Sequence, residues 1–199
     1  MIGIGDMRKA CLSMIRSRNL EKTYGINSEQ CSRVIRLLHR IFNHRFPADY
    51  GGFKHLADPL LVAPKELRMS CPAALQHLLR RLGVFFTPAG QGPAIKPAGH
   101  SLGNMLLTAA LLMETGDNFQ RPARLPEVRR GLDRISRALG IPPGCLHPAT
   151  VAPGGLVFRY ANGVEVQGQS KSTHARRGFP VEAVYTEFRS APVLSSRII

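Results

Sequence analysis

The sequence predicts an α/β layered fold with an antiparallel edge hairpin, and three observations carry that expectation. Several separated stretches repeat apolar residues at the spacing of a helix, about 3.6 residues. After Pro142 the period changes to two, as in a half-buried strand. Asn162-Gly163 then falls between two alternating runs, a hairpin signature, and helices outnumber strands in mixed order.

A first helical stretch opens at Gly5-Asp6-Met7-Arg8 and continues through Cys11, Leu12 and Ile15. Asp6 reads either as the cap of that helix, with Arg8 in a salt bridge, or as a group for a metal or a ligand hydroxyl, with Arg8 on a phosphate. From Asn27, the residues Val34, Leu37, Leu38, Ile41 and Phe42 recur at helical spacing, with Ser28 as N-cap, Arg33, Arg36 and Arg40 on the other face, and an end near Pro47. Ala48 to Ser70 reads as irregular. A shorter helix runs from Pro72 to Gly83 on a stripe of Leu75, Leu78, Leu79 and Leu82. Proline and glycine break up Thr87 to Gly99, which is an exposed loop. Leu125 to Leu139 repeats the helical pattern through Val128, Leu132 and Ile135, and Gly140 and Pro142 stop it.

The hairpin admits two registers. A two-residue Asn-Gly loop pairs Tyr160 with Glu165 and puts the apolar sets on opposite faces. A three-residue loop, Ala161 to Gly163 with Gly163 left-handed, pairs Tyr160 with Val164 and Phe158 with Val166 on one face, and is the preferred reading. Val181 to Phe188 is a further strand. The chain reads as one partial domain over 1–199: a helical segment 1–47, a variable insert 48–98, and a helix-start motif with helices and hairpin over 99–199.

With 199 residues, 44% of them hydrophobic, the chain can bury one sizeable core. The longest apolar run, Met105 to Met113, falls short of the roughly 18 residues of a membrane span. The first residues lack the basic flank and apolar stretch of a secretion signal, so a cytoplasmic protein without membrane attachment is expected. The four cysteines form no Cys-x-x-Cys pair and read as buried thiols. A net charge of +14 favours anionic partners. The basic residues are dispersed and do not interleave with aromatics, which argues against a nucleic-acid groove.

Gly99-His100-Ser101-Leu102-Gly103-Asn104 leads directly into an apolar helix. The first-turn N–H groups of such a helix have no intrahelical partner, and two glycines let a ligand approach the backbone, so a phosphate or carboxylate would be favoured there. Ser101 and Asn104 could add side-chain hydrogen bonds, and His100 a proton or a charge. The bland alternative is a serine N-cap on a core helix. The same segment fits the Gly-x-Ser-x-Gly nucleophile elbow, with Asp133, His147 and His174 as later acid and bases, but Pro93 and Pro97 occupy the place of the strand that an elbow requires.

Gly5-Asp6-Met7-Arg8-Lys9, Phe42-Asn43-His44-Arg45-Phe46, Gly99 to Asn104, His147-Pro148-Ala149-Thr150, Asn162-Gly163-Val164 and Gly168-Gln169-Ser170 occur in that order. Together they resemble the Gly-Asp-Ile-Arg-Asn, Phe-x-Tyr-Arg-Phe, Gly-His-Ser-Leu/Phe-Gly-Asn, Leu-Pro-Ala-Thr, Asp-Gly and Gly-Glu-Ser elements of the gluconeogenesis-factor / 2-phospho-L-lactate transferase family. The resemblance covers most of the chain and implies an incomplete Rossmann-like layered sheet with flanking helices. One branch of that family transfers a phospholactyl group with magnesium; the other binds UDP-sugars and regulates carbon and cell-wall metabolism, and the present spelling is similar to the second. The resemblance implies a nucleotide or nucleotide-sugar ligand at Asp6, Arg8, Gly99, His100, Ser101, Gly103 and Asn104, with Asp6 the one candidate for the metal and no catalytic residue assigned. A homo-oligomer is compatible with this. Lys9 stands where the family has Asn, and His44 where it has Tyr. The family's Gly-Gly-Gly-Thr-Gly and Asp-Asp-Gly-Gly-Ser elements would precede Met1, and its Gly-Pro-Gly-Ser loop would follow Ile199, so an internal piece of a longer chain is expected.

Overall fold

The computed structural model describes residues 4–114, 124–147, 154–167 and 178–188. The chain divides into two compact units: Ile4–Ala149, which is helical, and Met1–Gly3 with Thr150–Ile199, which carries a small sheet. Helices and an antiparallel sheet together make an α/β protein in the broad sense.

In the helical unit, α1 is Ile4–Met14, α2 Ser17–Tyr24 and α3 Ser28–Asn43. α3 forms because one face supplies Val34, Leu37, Leu38, Ile41 and Phe42, all fully buried. Its cap is Asn27, not Ser28: the Asn27 carboxamide accepts from the Gln30 N–H at 2.9 Å, which leaves Ser28 as the first helical residue. The helix ends at Asn43, earlier than Pro47, because His44 turns extended at φ −61°, ψ 129°.

The stretch expected to be irregular, Ala48 to Ser70, holds α4 at Lys54–Ala57, a 3-10 turn at Pro59–Val62 and α5 at Lys65–Met69. These are single turns, too short for a 3.6-residue period to declare itself in the sequence. α6 is Ala73–Val84, α7 Leu102–Leu112 and α8 Leu125–Ala138. α7 is buried around nearly its whole circumference, and α1, α3, α6 and α8 all pack on it. The start of α8 is fixed by the Arg124 N–H, which donates to the Glu127 carboxylate at 2.9 Å.

α2 was not legible in the pattern, since only Leu20 of its eight residues is buried. It is held by the far end of α8. Gly140, at φ 68°, offers its carbonyl to the Arg16 N–H at 3.0 Å and the Asn19 carboxamide at 3.1 Å, and the Tyr24 hydroxyl donates to Ala138 O at 2.7 Å. A Cβ at Gly140 would lie 2.7 Å from Leu20 Cγ, so both the left-handed backbone and the close approach require glycine.

In the second unit, β1 (Gly154–Tyr160), β2 (Glu165–Gln167) and β3 (Val181–Phe188) form an antiparallel sheet in the order β2-β1-β3. The hairpin register is the preferred one: Phe158 pairs with Val166, the Tyr160 N–H reaches Val164 O at 3.0 Å, and Gly163 is left-handed at φ 78°. β1 is the middle strand, with a bulge between Arg159 and Tyr160 on the β3 side.

Candidate functional site

Four of the nominated residues, Arg8, Ser101, Gly103 and Asn104, meet where α1 and α7 begin and α3 ends. The last carbonyls of a helix lack intrahelical donors, and Phe42 O is one of these in α3. Arg8, in the second turn of α1, donates Nη1 to Phe42 O at 3.0 Å and to Ser101 Oγ at 2.6 Å; Ser101 Oγ donates in turn to Phe42 O at 3.2 Å. A cation at a helix C-terminus also complements its dipole. Beside them, Arg45 and Ser101 form an isolated antiparallel bridge: the Phe46 N–H donates to His100 O and the Leu102 N–H to His44 O, each at 2.9 Å. The first turn of α7 therefore lies against the last turn of α3, and Gly103 allows it. A Cβ there would stand 2.5 Å from Phe42 O and 2.7 Å from Phe42 Cα.

Ser101 occupies the N-cap position of α7 at φ −85°, ψ 130° without capping it, since its hydroxyl is turned to Phe42 O and Arg8. It is 2% exposed, has no histidine among its described partners, and follows no strand. These are not the surroundings of an elbow nucleophile. Asp133 and His147 are exposed, and His174 lies outside the described residues, as do Pro148 to Thr150 and Gly168 to Ser170 of the resembling segments.

Two buried polar atoms at this junction have no hydrogen-bond partner among the described residues: Arg8 Nε and Asn104 Oδ1. The helix cannot itself satisfy the N–H groups of Gly103 and Asn104, in the first turn of α7. Arg8 is held below the ordinary arginine value, first by burial and then by the charge of Arg45, so the neighbour acting on it is a second cation. Arg45 donates Nη1 to Gly99 O at 2.7 Å, and Gly99 is left-handed at φ 72°. A convergence of two guanidiniums with a helix N-terminus is chemically suited to an anion.

The structure brings Arg8, Ser101, Gly103 and Asn104 together, with Gly5 of α1 next to Asn104: a Cβ at Gly5 would lie 3.9 Å from Asn104 Nδ2. Asp6 lies inside the first turn of α1, not at its cap, and is exposed; His100 and Gly99 are exposed as well. No group of three or more His, Cys, Asp or Glu side chains able to hold a metal occurs among the described residues. The sequence reading missed Arg45 as a functional residue. Its signal was its place in Phe42-Asn43-His44-Arg45-Phe46, directly after an apolar helix face.

No described helix is long and apolar enough to cross a membrane. Compared with protein-family models, with curated proteins and with solved structures, the chain gives no significant match.

Proposed function

We propose that this chain binds a phosphate-bearing small molecule of the nucleotide or nucleotide-sugar kind, of which a UDP-sugar is the leading candidate, where α1 and α7 begin. The observation that carries the reading is the pair of partnerless buried atoms, Arg8 Nε and Asn104 Oδ1. Groups of this kind are rare in folded proteins, and a ligand is one of the few things that accounts for them. A phosphate oxygen would accept from Arg8 Nε and from the first-turn N–H groups of α7, while a sugar hydroxyl or a base N–H would donate to Asn104 Oδ1. Arg8 remains protonated throughout the physiological range, so such a site keeps its charge.

The ordered motifs in the sequence support the remainder of the reading, a regulatory protein of carbon or cell-wall metabolism built on an incomplete Rossmann-like layered sheet. Thermal unfolding tests the core of it. UDP-N-acetylglucosamine and GDP, each with and without magnesium, are compared with a DNA oligomer; a ligand at about a hundred times its Kd adds roughly 2.7 kcal/mol. The expected result is a rise in Tm with a nucleotide that Asn104→Ala diminishes. No rise with any nucleotide would remove the proposal.

A further inference from the structure

Outside the α7 start, the outer face of α3 carries a groove of about 810 Å³ walled by Arg36, His39, Arg40, Asn43, His44 and Arg45. None of Gly99 to Asn104 lines it. Positions 36, 39, 40 and 43 recur at helical spacing and share one face, because the opposite face is committed to the core through Leu37, Leu38 and Ile41. After Asn43 the chain turns extended, and the bridge between Arg45 and Ser101 fixes Arg45 at the groove's end, where its Nη1 is tied to Gly99 O.

The charges in this groove are of one sign. Among the described residues, three arginines and two histidines line it and no carboxylate does, whereas one turn upstream Arg33 has an ion-pair partner in Glu29. The groove lies at the C-terminal end of α3, where the helix dipole favours cations and offsets part of their mutual repulsion. A run of basic residues is ordinarily only a solvated face. Here it lines a shallow, open concavity with room for a small anion.

The geometry points to a phosphate-anion site in this groove, for a compact diphosphate group presented by inorganic pyrophosphate or by a nucleoside diphosphate, adjoining the site at the α7 start and sharing Arg45 with it. From Arg36 to Asn43 the helix rises only about 10 Å at ~1.5 Å per residue, a reach that suits two adjacent phosphates better than the track of a polynucleotide. Asn43 supplies a neutral donor and His44 a half-buried ring beside the charges.

Isothermal titration with inorganic pyrophosphate, UDP and UMP at constant ionic strength tests the site, using the wild-type chain, the double variant Arg36→Gln/Arg40→Gln, and Asn104→Ala. Arg36 and Arg40 are exposed, so the double variant is expected to keep the wild-type urea midpoint, which is measured alongside. The expected result is pyrophosphate binding that weakens at least tenfold in the double variant and is unchanged in Asn104→Ala. UDP binding as strong as pyrophosphate, with UMP weak, identifies the nucleoside diphosphate as the source; pyrophosphate alone identifies the free anion. Equal affinity in the wild-type and double-variant proteins overturns the proposal. So does an equal response to sodium sulfate, or binding of a single-stranded oligonucleotide that pyrophosphate does not displace. A nucleotide response lost only in Asn104→Ala would leave the α7 reading standing and remove this one.

Discussion

Arg8 and Ser101 are 93 positions apart in the chain, and Arg8 Nη1 donates to Ser101 Oγ over 2.6 Å. The same nitrogen reaches Phe42 O at 3.0 Å, so one guanidinium closes the end of α3 while standing at the start of α7. Arg8→Met keeps most of the alkyl stem and removes both bonds. A loss of about 1–3 kcal/mol is expected from urea unfolding, because Phe42 O and Ser101 Oγ lose their charged donor. Ser101→Ala should lose less, about 1 kcal/mol, since Arg8 still serves Phe42 O. Equal stability of wild type and Arg8→Met would mean that the link carries no weight.

Gly103→Ala should be more damaging than its size suggests. The added Cβ meets Phe42 O and Phe42 Cα at 2.5 and 2.7 Å, both backbone atoms that cannot rotate aside. Overpacking of this kind costs typically about 1–3 kcal/mol. Gly5→Ala is the matched control: its Cβ meets only Asn104 Nδ2 at 3.9 Å, and a helix gains from alanine. The expected order of melting temperatures is Gly5→Ala at or above wild type, and Gly103→Ala well below it. If the two variants melt together, α7 does not approach α3 as described.

The thiols should fall into two classes. Burial pushes Cys11 and Cys71 up to about 12 and raises Cys31 as well, where the charge of Glu21 adds to the effect, so these three stay neutral thiols; Cys145 is exposed. Reaction proceeds through the thiolate and needs access. A colorimetric disulfide reagent should titrate one thiol per native chain at once, and the remaining three only in denaturant. Rapid native reaction of two or more would contradict the burial of the helical unit.

His44 gives the helical unit a pH dependence of definite sign. Burial, then the charges of His55 and Arg40, hold it below the ordinary value of 6.5. As pH falls through 6.5 the unfolded chain takes up this proton before the folded one, and stability declines until folded His44 itself titrates. Above that window the residue contributes no pH dependence. His44→Gln should therefore show a smaller fall in urea midpoint between about pH 8 and pH 5 than wild type. Identical falls would show that other groups govern the acid limb.

What the sequence made legible depended on whether an element carries its own periodic signal. The core face of α3 could be read from Val34 to Phe42, because each buried side chain repeats on one stripe. The hairpin register could be read because, of the two loops weighed, only the three-residue one puts Phe158 and Val166 on one face. α2 could not: its single buried residue, Leu20, is held by Gly140, a partner that only the folded chain reveals. For the candidate site, the helix start at Gly99 to Asn104 was visible as a motif. The contact of Arg8 with Phe42 was not, since it joins two helices 34 positions apart through a terminal carbonyl. Likewise, Arg36 and Arg40 read correctly as an outward face, but a pattern of charges does not disclose a hollow.

The fastening of α2 to Gly140 dictates when a growing chain can finish its first third. Asn19 is made 121 positions before the carbonyl that receives its amide, a wait of roughly 6–24 s at about 5–20 residues per second of translation. Throughout that wait α2 has α3 to pack on but not the end of α8. A ribosome that stalls short of residue 140 releases a product whose beginning is left unlatched, a ready target for proteolysis.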